Sequence, residues 1–243
     1  MGRVLVLTGG PDYAHDFSAT SAALVELLGA SGHDVELADH PDDAADRLGR
    51  GDHDALVVNT LRWRMLGDRY DEWRTEWGYS TPLATRRTID GYVAAGGGLV
   101  GVHTASVCFD DWPEWRDVLG GAWSWGRSSH PAPAPVRPAV VASHPVVDGL
   151  GGRSGRSEAA DRADELALVD EVYGDLDLAE GIEVLVTAPR HAADEPQPVV
   201  WAHRHGDGRV VYDAFGHDVT SLRVPAHVRL LQQAAAWVIG DAA

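Results

Sequence analysis

The sequence predicts an α/β fold in which a parallel sheet is flanked by helices, with additional short strands in the C-terminal half. Short apolar runs alternate with segments of helical periodicity in the first hundred residues, a pattern typical of parallel strands joined by right-handed crossovers. The second half carries closely spaced strand-like runs and Gly- and Pro-rich segments. The 243 residues, 44% of them hydrophobic, suit a single domain, which we place at residues 3–240.

Strands and helices alternate in the first half of the chain. Residues 3–8 form a nearly continuous apolar run, as expected for a strand buried on both faces. The helix predicted over 17–30 carries Leu24, Leu27 and Leu28 at helical spacing. The next predicted elements are a strand at 34–39, a helix at 42–48, a strand at 55–59, a helix from Pro82 to Ala95 and a strand at 99–102.

The second half is predicted to hold short strands and one closing helix. The strands are expected at 166–173, 183–188, 198–205 and 209–214, and the helix at 225–239. Gly206, Asp207 and Gly208 predict a tight hairpin turn. The Pro-rich residues 127–138 cannot form a central strand, and the small and charged residues 151–164 indicate a mobile surface loop.

An insertion at residues 60–80 contains three tryptophans and two tyrosines among many charges. One interpretation is a helical excursion whose rings pack on the body of the domain. The other is a lid or substrate wall, because aromatic faces stack well on sugar rings or on a partner. The sequence leaves both open.

Charge and composition exclude several classes of function. A formal net charge of −17 disfavours nucleic acid and anionic membranes as partners. The single cysteine, Cys108, excludes an intramolecular disulfide. The N-terminal segment is too short for a signal peptide, so we expect a cytoplasmic protein. Because there is no P-loop and no Gly-x-Gly-x-x-Gly after the first strand, we expect no nucleotide cofactor.

Polar side chains gather just past the predicted strands, where parallel α/β sheets bind ligands. We expect several of the histidines among them to converge on one crevice. The candidates are Tyr13 and His15 after the first strand, His103 and Thr104 after the strand at 99–102, Asp170, Glu171 and Tyr173 in the run 166–173, His217 after the last strand, and His130 in the Pro-rich segment.

His103 stands at a predicted strand-to-helix turn, where one side chain is exposed at the crest. The positive end of the following helix disfavours a protonated imidazole, which is therefore expected to be neutral near pH 7 and fit to act as a base or a metal ligand. The alternative is a histidine satisfied by a backbone carbonyl, without chemistry.

Glu171 and Tyr173 share one face if the run 166–173 is a strand, and Asp170 takes the other. The Glu171 carboxylate could serve as a base, orient a histidine or complete a metal site; the alternative is an exposed edge-strand face. Cys108 is expected to be a buried small residue rather than a nucleophile. Other histidines are expected on the surface or on strand faces, without a functional role: His33, His40, His53, His191, His203, His205 and His227.

Taken together, the motifs resemble the ThuA-like family, named for trehalose utilisation, whose fold is that of class I glutamine amidotransferases. The matching stretches span residues 3–239 and include GGPDYAHD, YVAAGGGLVGVHTAS, WPEWRDVLGG, SHPVVDGL, DEVY, PVVWAHRHGDGRVVY and FGHD. The resemblance implies a flavodoxin-like sheet, a link to sugar metabolism and genes often beside sugar oxidoreductases. It also places His103 where true amidotransferases carry the catalytic cysteine, which implies that glutamine is not hydrolysed by a thiol.

Two functions remain open at this stage. The first is an enzyme that acts on a disaccharide or keto-sugar, with His103 and Glu171 in acid–base roles. The second is a non-catalytic protein that binds a sugar or a partner, such as a second copy or a sugar oxidoreductase. Expected substrate contacts are Tyr13, His15, Thr104, Trp112, Trp125, His130, Asp170, Tyr173 and His217. A divalent metal such as zinc would be held by His15, His103, His130 and His217.

Overall fold

The structure, a computed structural model, describes residues 1–151 and 165–241. Its strands are β1 (Arg3–Gly9), β2 (Asp34–Ala38), β3 (Ala55–Thr60), β4 (Gly98–Val102), β5 (Gly121–Ala122), β6 (Ala134–Val136), β7 (Ala139–Val140), β8 (Leu168–Asp170), β9 (Asp177–Leu178), β10 (Glu183–Ala188), β11 (Gln197–His205) and β12 (Gly208–Asp213). Its α-helices are α1 (Phe17–Ala30), α2 (Pro41–Leu48), α3 (Asp71–Trp77), α4 (Leu83–Ala94), α5 (Trp115–Leu119), α6 (Val219–Leu222) and α7 (Pro225–Ile239).

Within these residues, eight strands form the main sheet in the order β2-β1-β3-β4-β12-β11-β10-β7. The five strands from β2 to β12 pair in parallel, and their order is that of flavodoxin-like sheets. β11, β10 and β7 extend the sheet with antiparallel pairs. The predicted parallel sheet with additional short strands is therefore confirmed.

The sheet is buried because helices pack on it. β3 and β4 are buried along their whole length, as their continuous apolar runs predict. Two helix pairs contact each other and the strands, α1 with α7 and α2 with α4. The inner face of α7 buries Leu230, Leu231, Ala234 and Val238, which recur at the spacing of one helix face.

The hairpin between β11 and β12 brings the fifth parallel strand next to β4. His205 pairs with Gly208, so the turn consists of Gly206 and Asp207. Gly206 has φ of 60°, a left-handed conformation that glycine adopts without steric cost. The predicted tight turn is confirmed.

The run 166–173 is a strand only over β8, so its predicted length is wrong. β8 pairs with β6 in a separate two-stranded sheet of the described residues. The strand ends at Asp170 because the Asp170 carboxylate accepts the amide proton of Glu171 at 2.7 Å, which removes that amide from any ladder. Glu171 and Tyr173 lie beyond the strand.

The helix predicted after His103 is instead a 3-10 turn over His103–Ser106. Thr104 Oγ1 and Cys108 Sγ both donate to the carbonyl of Thr60, at 2.6 and 3.0 Å. These bonds tie the segment to the end of β3 instead of letting it continue as a helix. His103 is also buried, at 2% exposure, rather than exposed at a crest.

His227 is not on the surface as predicted but fully buried on α7. Its Nε2 lies 2.7 Å from Asp213 Oδ2 at the end of β12. A carboxylate partner compensates the burial of the imidazole, and periodicity alone does not reveal such a partner.

Two further expectations concern less regular parts of the chain. The Pro-rich residues 127–138 contain only β6, in the small sheet outside the main one. The loop predicted at 151–164 lies outside the described residues except for Gly151. Over the residues that are described, no helix has the length and apolar character needed to cross a membrane.

Glycine substitutions at two positions test this packing. A Cβ at Gly208 would collide with the backbone carbonyl of Val93, whereas a Cβ at Gly29 in α1 meets nothing within 4 Å. We expect Gly208→Ala to lower the free energy of unfolding by about 1–3 kcal/mol and Gly29→Ala to raise it by about 0.5 kcal/mol. Urea unfolding followed by circular dichroism measures both, and equal stability of Gly208→Ala and wild type would contradict the hairpin packing.

Candidate functional site

A cavity of about 440 Å³ opens where β1, β3, β4 and β12 end. Its volume falls in the range of small-molecule sites, roughly 300–1,000 Å³. Eight of the residues predicted from the sequence line it: Tyr13, His15, Thr104, Trp125, His130, Glu171, Tyr173 and His217. These side chains come from separate loops, and the topology of the sheet brings them together.

Glu171 is the central charged group of the cavity floor. Its side chain is 7% exposed, and its Oε1 lies 3.2 Å from His130 Nδ1 and 3.6 Å from His217 Nδ1. Oε2 lies 3.5 Å from His103 Nε2. Three imidazoles therefore surround one buried carboxylate.

These contacts set the charges of the floor. Burial alone would raise the pKa of Glu171, but the contacts with His103, His130 and His217 outweigh it and hold that pKa well below its usual range. Reciprocally, the Glu171 carboxylate raises the pKa of His130 and of His217 above the ordinary value. Glu171 is ionised, and protonation of His130 and His217 is favoured.

His103 lies just beneath the floor, and the described residues that line the cavity do not include it. Its Nδ1 is 2.7 Å from the carbonyl oxygen of Ala214. A carbonyl only accepts, so Nδ1 carries the proton, and in the neutral ring Nε2 is left as an acceptor. The Tyr173 hydroxyl, 3.1 Å away, can donate to Nε2.

The backbone of His103 is left-handed, with φ of 47°. This conformation is uncommon for a residue with a Cβ. It is held by the Ala214 contact and by the Tyr212 hydroxyl, which donates to the His103 carbonyl at 2.7 Å. The sharp turn after β4 thereby directs the imidazole back beneath the floor.

His15 and His217 complete a cluster with His103. The three side chains offer ligand atoms that all lie within 4.8 Å of one another. Burial, aided by the neighbouring His103 and His217, lowers the pKa of His15 to about 3, so His15 is neutral. His130 is not part of this cluster but contacts the same carboxylate.

Capping side chains fix the loops that carry these two histidines. Asp16, next to His15, accepts the amide proton of Ala19 at the start of α1. Asp218, next to His217, accepts those of Thr220 and Ser221 at the start of α6. Aspartate is a favourable N-cap, so each histidine directly precedes a residue that is fixed at the start of a helix.

Asp170 was predicted to contact substrate, but the structure places it behind the floor, 1% exposed. Its Oδ1 accepts from the Glu171 amide at 2.7 Å, and its Oδ2 accepts from the Gly216 amide at 2.8 Å and from the Ser221 hydroxyl. The residue thus joins the segment that carries Glu171 to the segment that carries His217.

Trp112 also lies away from this cavity. It is buried, and its ring packs on Phe109 and Trp115. It lines a neighbouring cavity of about 230 Å³, whose wall includes Trp123 and Trp125. Cys108 is buried as predicted, and burial raises its pKa to about 12.

The insertion at residues 60–80 supplies one wall of the main cavity. Part of it packs inward, where Trp63 and Met65 form a small apolar cluster with Phe17. Other side chains of the insertion reach the cavity, among them Tyr70 and Trp73. Packing on the body of the domain is therefore confirmed for part of the insertion, and a substrate wall stays a prediction for the side chains that line the cavity.

The sequence reasoning missed several lining residues. Trp123 packs on Tyr173, with ring centroids 5.3 Å apart, and lines the cavity together with Leu61, Trp63, Arg69, Tyr70 and Trp73. The aromatic content of the insertion was the available signal for most of them. For Trp123, the signal was its position two residues before Trp125.

The family comparison agrees with the motifs. The sequence model of the ThuA family, described as trehalose utilisation, matches residues 3–238. A search of curated proteins found no match.

Solved structures share the fold. A ThuA-like protein from Parabacteroides merdae is 21% identical with a TM-score of 0.73, over 99% of this chain and 91% of that one. A ThuA-like protein from Bacteroides uniformis is 18% identical with a TM-score of 0.69, over 99% and 91%. A β-galactosidase from a Rahnella species is 18% identical with a TM-score of 0.58, over 97% of this chain but 30% of that one.

The charge coupling on the floor can be tested by Glu171→Gln in chelator-treated protein. Because the carboxylate is the largest influence that raises the pKa of His130 and of His217, we expect both pKa values to fall when it is neutralised, leaving burial to favour the neutral rings. Imidazole ¹H–¹⁵N spectra across a pH series measure this. Burial lowers the pKa of His203 on β11, away from Glu171, and that pKa should not change. Unchanged titration of His130 and His217 would contradict the geometry.

Proposed function

The chain belongs to the ThuA family of trehalose utilisation, and on that premise we propose that it is an enzyme of carbohydrate metabolism that modifies a disaccharide or keto-sugar by acid–base chemistry. The observation that carries the proposal is the ionised Glu171, buried on the floor of an aromatic-walled cavity and surrounded by three histidines. The match to part of a β-galactosidase is consistent with a carbohydrate ligand. The proposed location is the cytoplasm.

Acid and base stand side by side in this arrangement. With a keto-sugar bound, the Glu171 carboxylate removes a proton from the carbon next to the carbonyl, while protonated His130 or His217 donates one to the carbonyl oxygen. The C–H bond breaks, an enediol forms, and the total charge of the site does not change. The reverse transfers return the proton to the same carbon or its neighbour.

His103 supports this step from beneath the floor. Its Nε2 is 3.5 Å from Glu171 Oε2. When the ring is neutral, Nδ1 holds its proton against the Ala214 carbonyl, and Nε2 can accept the proton that Glu171 has removed. The Tyr173 hydroxyl contacts the same nitrogen and keeps the imidazole oriented.

A divalent ion such as zinc fits the residues of the floor. In the described part of the chain, the buried atoms His15 Nδ1, His217 Nδ1 and Glu171 Oε2 have no hydrogen-bond partner. Neutral imidazoles with one carboxylate are a zinc-type donor set, which here is His15, His103, His217 and Glu171. Binding of the ion would displace the proton of His217 and leave His130 as the acid. When bound, such an ion would polarise a sugar oxygen as a Lewis acid.

The alternative proposal is a protein that binds sugar without turnover. Dispersed titratable groups would favour it, whereas here three imidazoles each have a nitrogen within 3.2–3.6 Å of a Glu171 carboxylate oxygen. Burying such a charged cluster costs free energy that simple binding of a neutral sugar does not require. The geometry therefore supports the enzyme over the binding protein.

Hydrogen–deuterium exchange tests the acid–base role. In D₂O, we expect wild-type protein to exchange the hydrogen next to the carbonyl of a keto-sugar, and Glu171→Gln to slow this exchange by about 10²–10⁴-fold because the base is lost. Glu183→Gln, which changes an exposed glutamate at the start of β10, is the matched control and should exchange like wild type. Binding of the keto-sugar without exchange in wild type would favour the non-catalytic alternative.

Metal analysis tests the ion separately. We expect tag-free wild-type protein to hold close to one divalent ion per chain by mass spectrometry, and His103→Ala to lose it because one imidazole of the cluster is removed. His191→Ala, far from the cluster along the chain and exposed, should retain the ion. Absence of metal from wild-type protein incubated with zinc would overturn the metal site and leave the acid–base groups.

A further inference from the structure

Four buried polar side chains lie in contact with one another behind the cavity floor, between the closing helix and Glu171. Asp213, Ser221 and His227 have no exposed surface, and Asp170 is almost fully buried. None of the four is among the described residues that line the cavity. Polar groups this deeply buried require partners that match both their hydrogen bonds and their charge.

Both ring nitrogens of His227 face acceptors. Nδ1 lies 2.9 Å from the backbone carbonyl of Ser221, and because a carbonyl only accepts, Nδ1 carries a proton. Nε2 lies 2.7 Å from Asp213 Oδ2, and the other oxygen of this carboxylate accepts the Phe215 amide at 3.0 Å. Against an ionised Asp213 both nitrogens are donors, and the ring is an imidazolium.

A second carboxylate lies on the Nδ1 side of the ring. Ser221 Oγ is 3.3 Å from His227 Nδ1 and donates its own proton to Asp170 Oδ2. A neutral ring would leave both Asp170 and Asp213 facing no cation within this set of side chains, which is costly for buried carboxylates. Burial alone would lower the pKa of His227, but Asp213, the Ser221 carbonyl and Asp170 outweigh it and raise that pKa above the ordinary value.

The two carboxylates hold the segments from which the floor is built. Asp170 accepts the amide of Glu171 at 2.7 Å, that of Gly216 at 2.8 Å and that of His217 at 3.4 Å. Asp213 holds the start of the same loop through the Phe215 amide. If the cation were absent, the two buried carboxylates would repel each other and loosen these bonds.

We infer that His227 is a positioning residue of the floor, which as a buried imidazolium neutralises Asp213 and Asp170 together and so holds the segment of His217 against the segment of Glu171. The inference rests on the proposed function only for the use that a reaction makes of this geometry. The charge of the ring and the order of the floor can both be measured without a sugar.

Side-chain ¹H–¹⁵N spectra of wild-type protein near neutral pH test the charge. We expect both nitrogens of His227 to show imidazolium shifts and slowly exchanging protons, because the ring is buried between acceptors. Asp213→Asn should abolish this signature, since the strongest contact that favours the charged ring is lost. A wild-type ring that is protonated at Nδ1 alone would overturn the inference.

Backbone amide exchange tests the positioning. We expect His227→Gln to lower the protection of the Gly216 and His217 amides by about tenfold or more, because Asp213 and Asp170 lose their shared cation. Addition of Asp213→Asn should return the protection to within about threefold of wild type, since the uncompensated charge is then removed. Loss of packing around the ring would not be repaired by this second change.

His205→Gln is the matched control. His205 Nε2 also lies 2.7 Å from an aspartate oxygen, that of Asp90, but this pair is partly exposed at the end of β11. In this variant the Gly216 and His217 amides should exchange as in wild type. Thermal melting shows which variants fold; if His227→Gln alone does not, a double variant that folds supports the inference and one that does not overturns it.

The outcomes separate this inference from the proposed function. Unchanged amide protection in His227→Gln, or no recovery in the double variant, would overturn the positioning role. Absence of hydrogen exchange from a keto-sugar in wild type would reject the enzyme, whereas an imidazolium at His227 together with recovery in the double variant would still support the inference.

Discussion

The burial of the Glu171 carboxylate is the constraint on which the rest of the site depends. An ionised carboxylate loses most of its hydration when it is 7% exposed, and such a loss is costly unless charged or polar partners replace the water. His130 and His217 supply that compensation, and their own protonation is favoured in return. The floor is therefore one electrostatic unit rather than a set of independent side chains.

A second layer of buried acids holds this unit in place. Asp170 connects the amides of Glu171 and Gly216. Asp213, at the end of β12, pairs with the buried His227 and accepts the Phe215 amide at 3.0 Å. Both carboxylates accept hydrogen bonds from backbone amides that lie outside the strand ladders. These bonds hold the irregular segments beside the sheet in place of strand pairing.

The sequence predicted the parts of this arrangement that depend on local pattern. Continuous apolar runs located the parallel strands, and because the carboxyl ends of such strands share one edge, the pattern also predicted that His15, His103 and His217 lie together. Two features depended instead on contacts between separate segments of the chain, the burial of His227 against Asp213 and the position of Trp123 on Tyr173. The end of β8 depended on a hydrogen bond from the Glu171 amide to the Asp170 carboxylate. Periodicity carries no information about such partners.

The left-handed backbone of His103 has a consequence for how this fold can change. Such a conformation costs an L-residue roughly 1–2 kcal/mol, whereas glycine adopts it freely. Selection for thermal stability alone would therefore favour glycine at this turn. Under the proposed function, the fold and the site make opposing demands on the same residue, because glycine would remove the imidazole beneath Glu171. Homologues with glycine at this position are then expected to keep the fold and to lack the proposed chemistry.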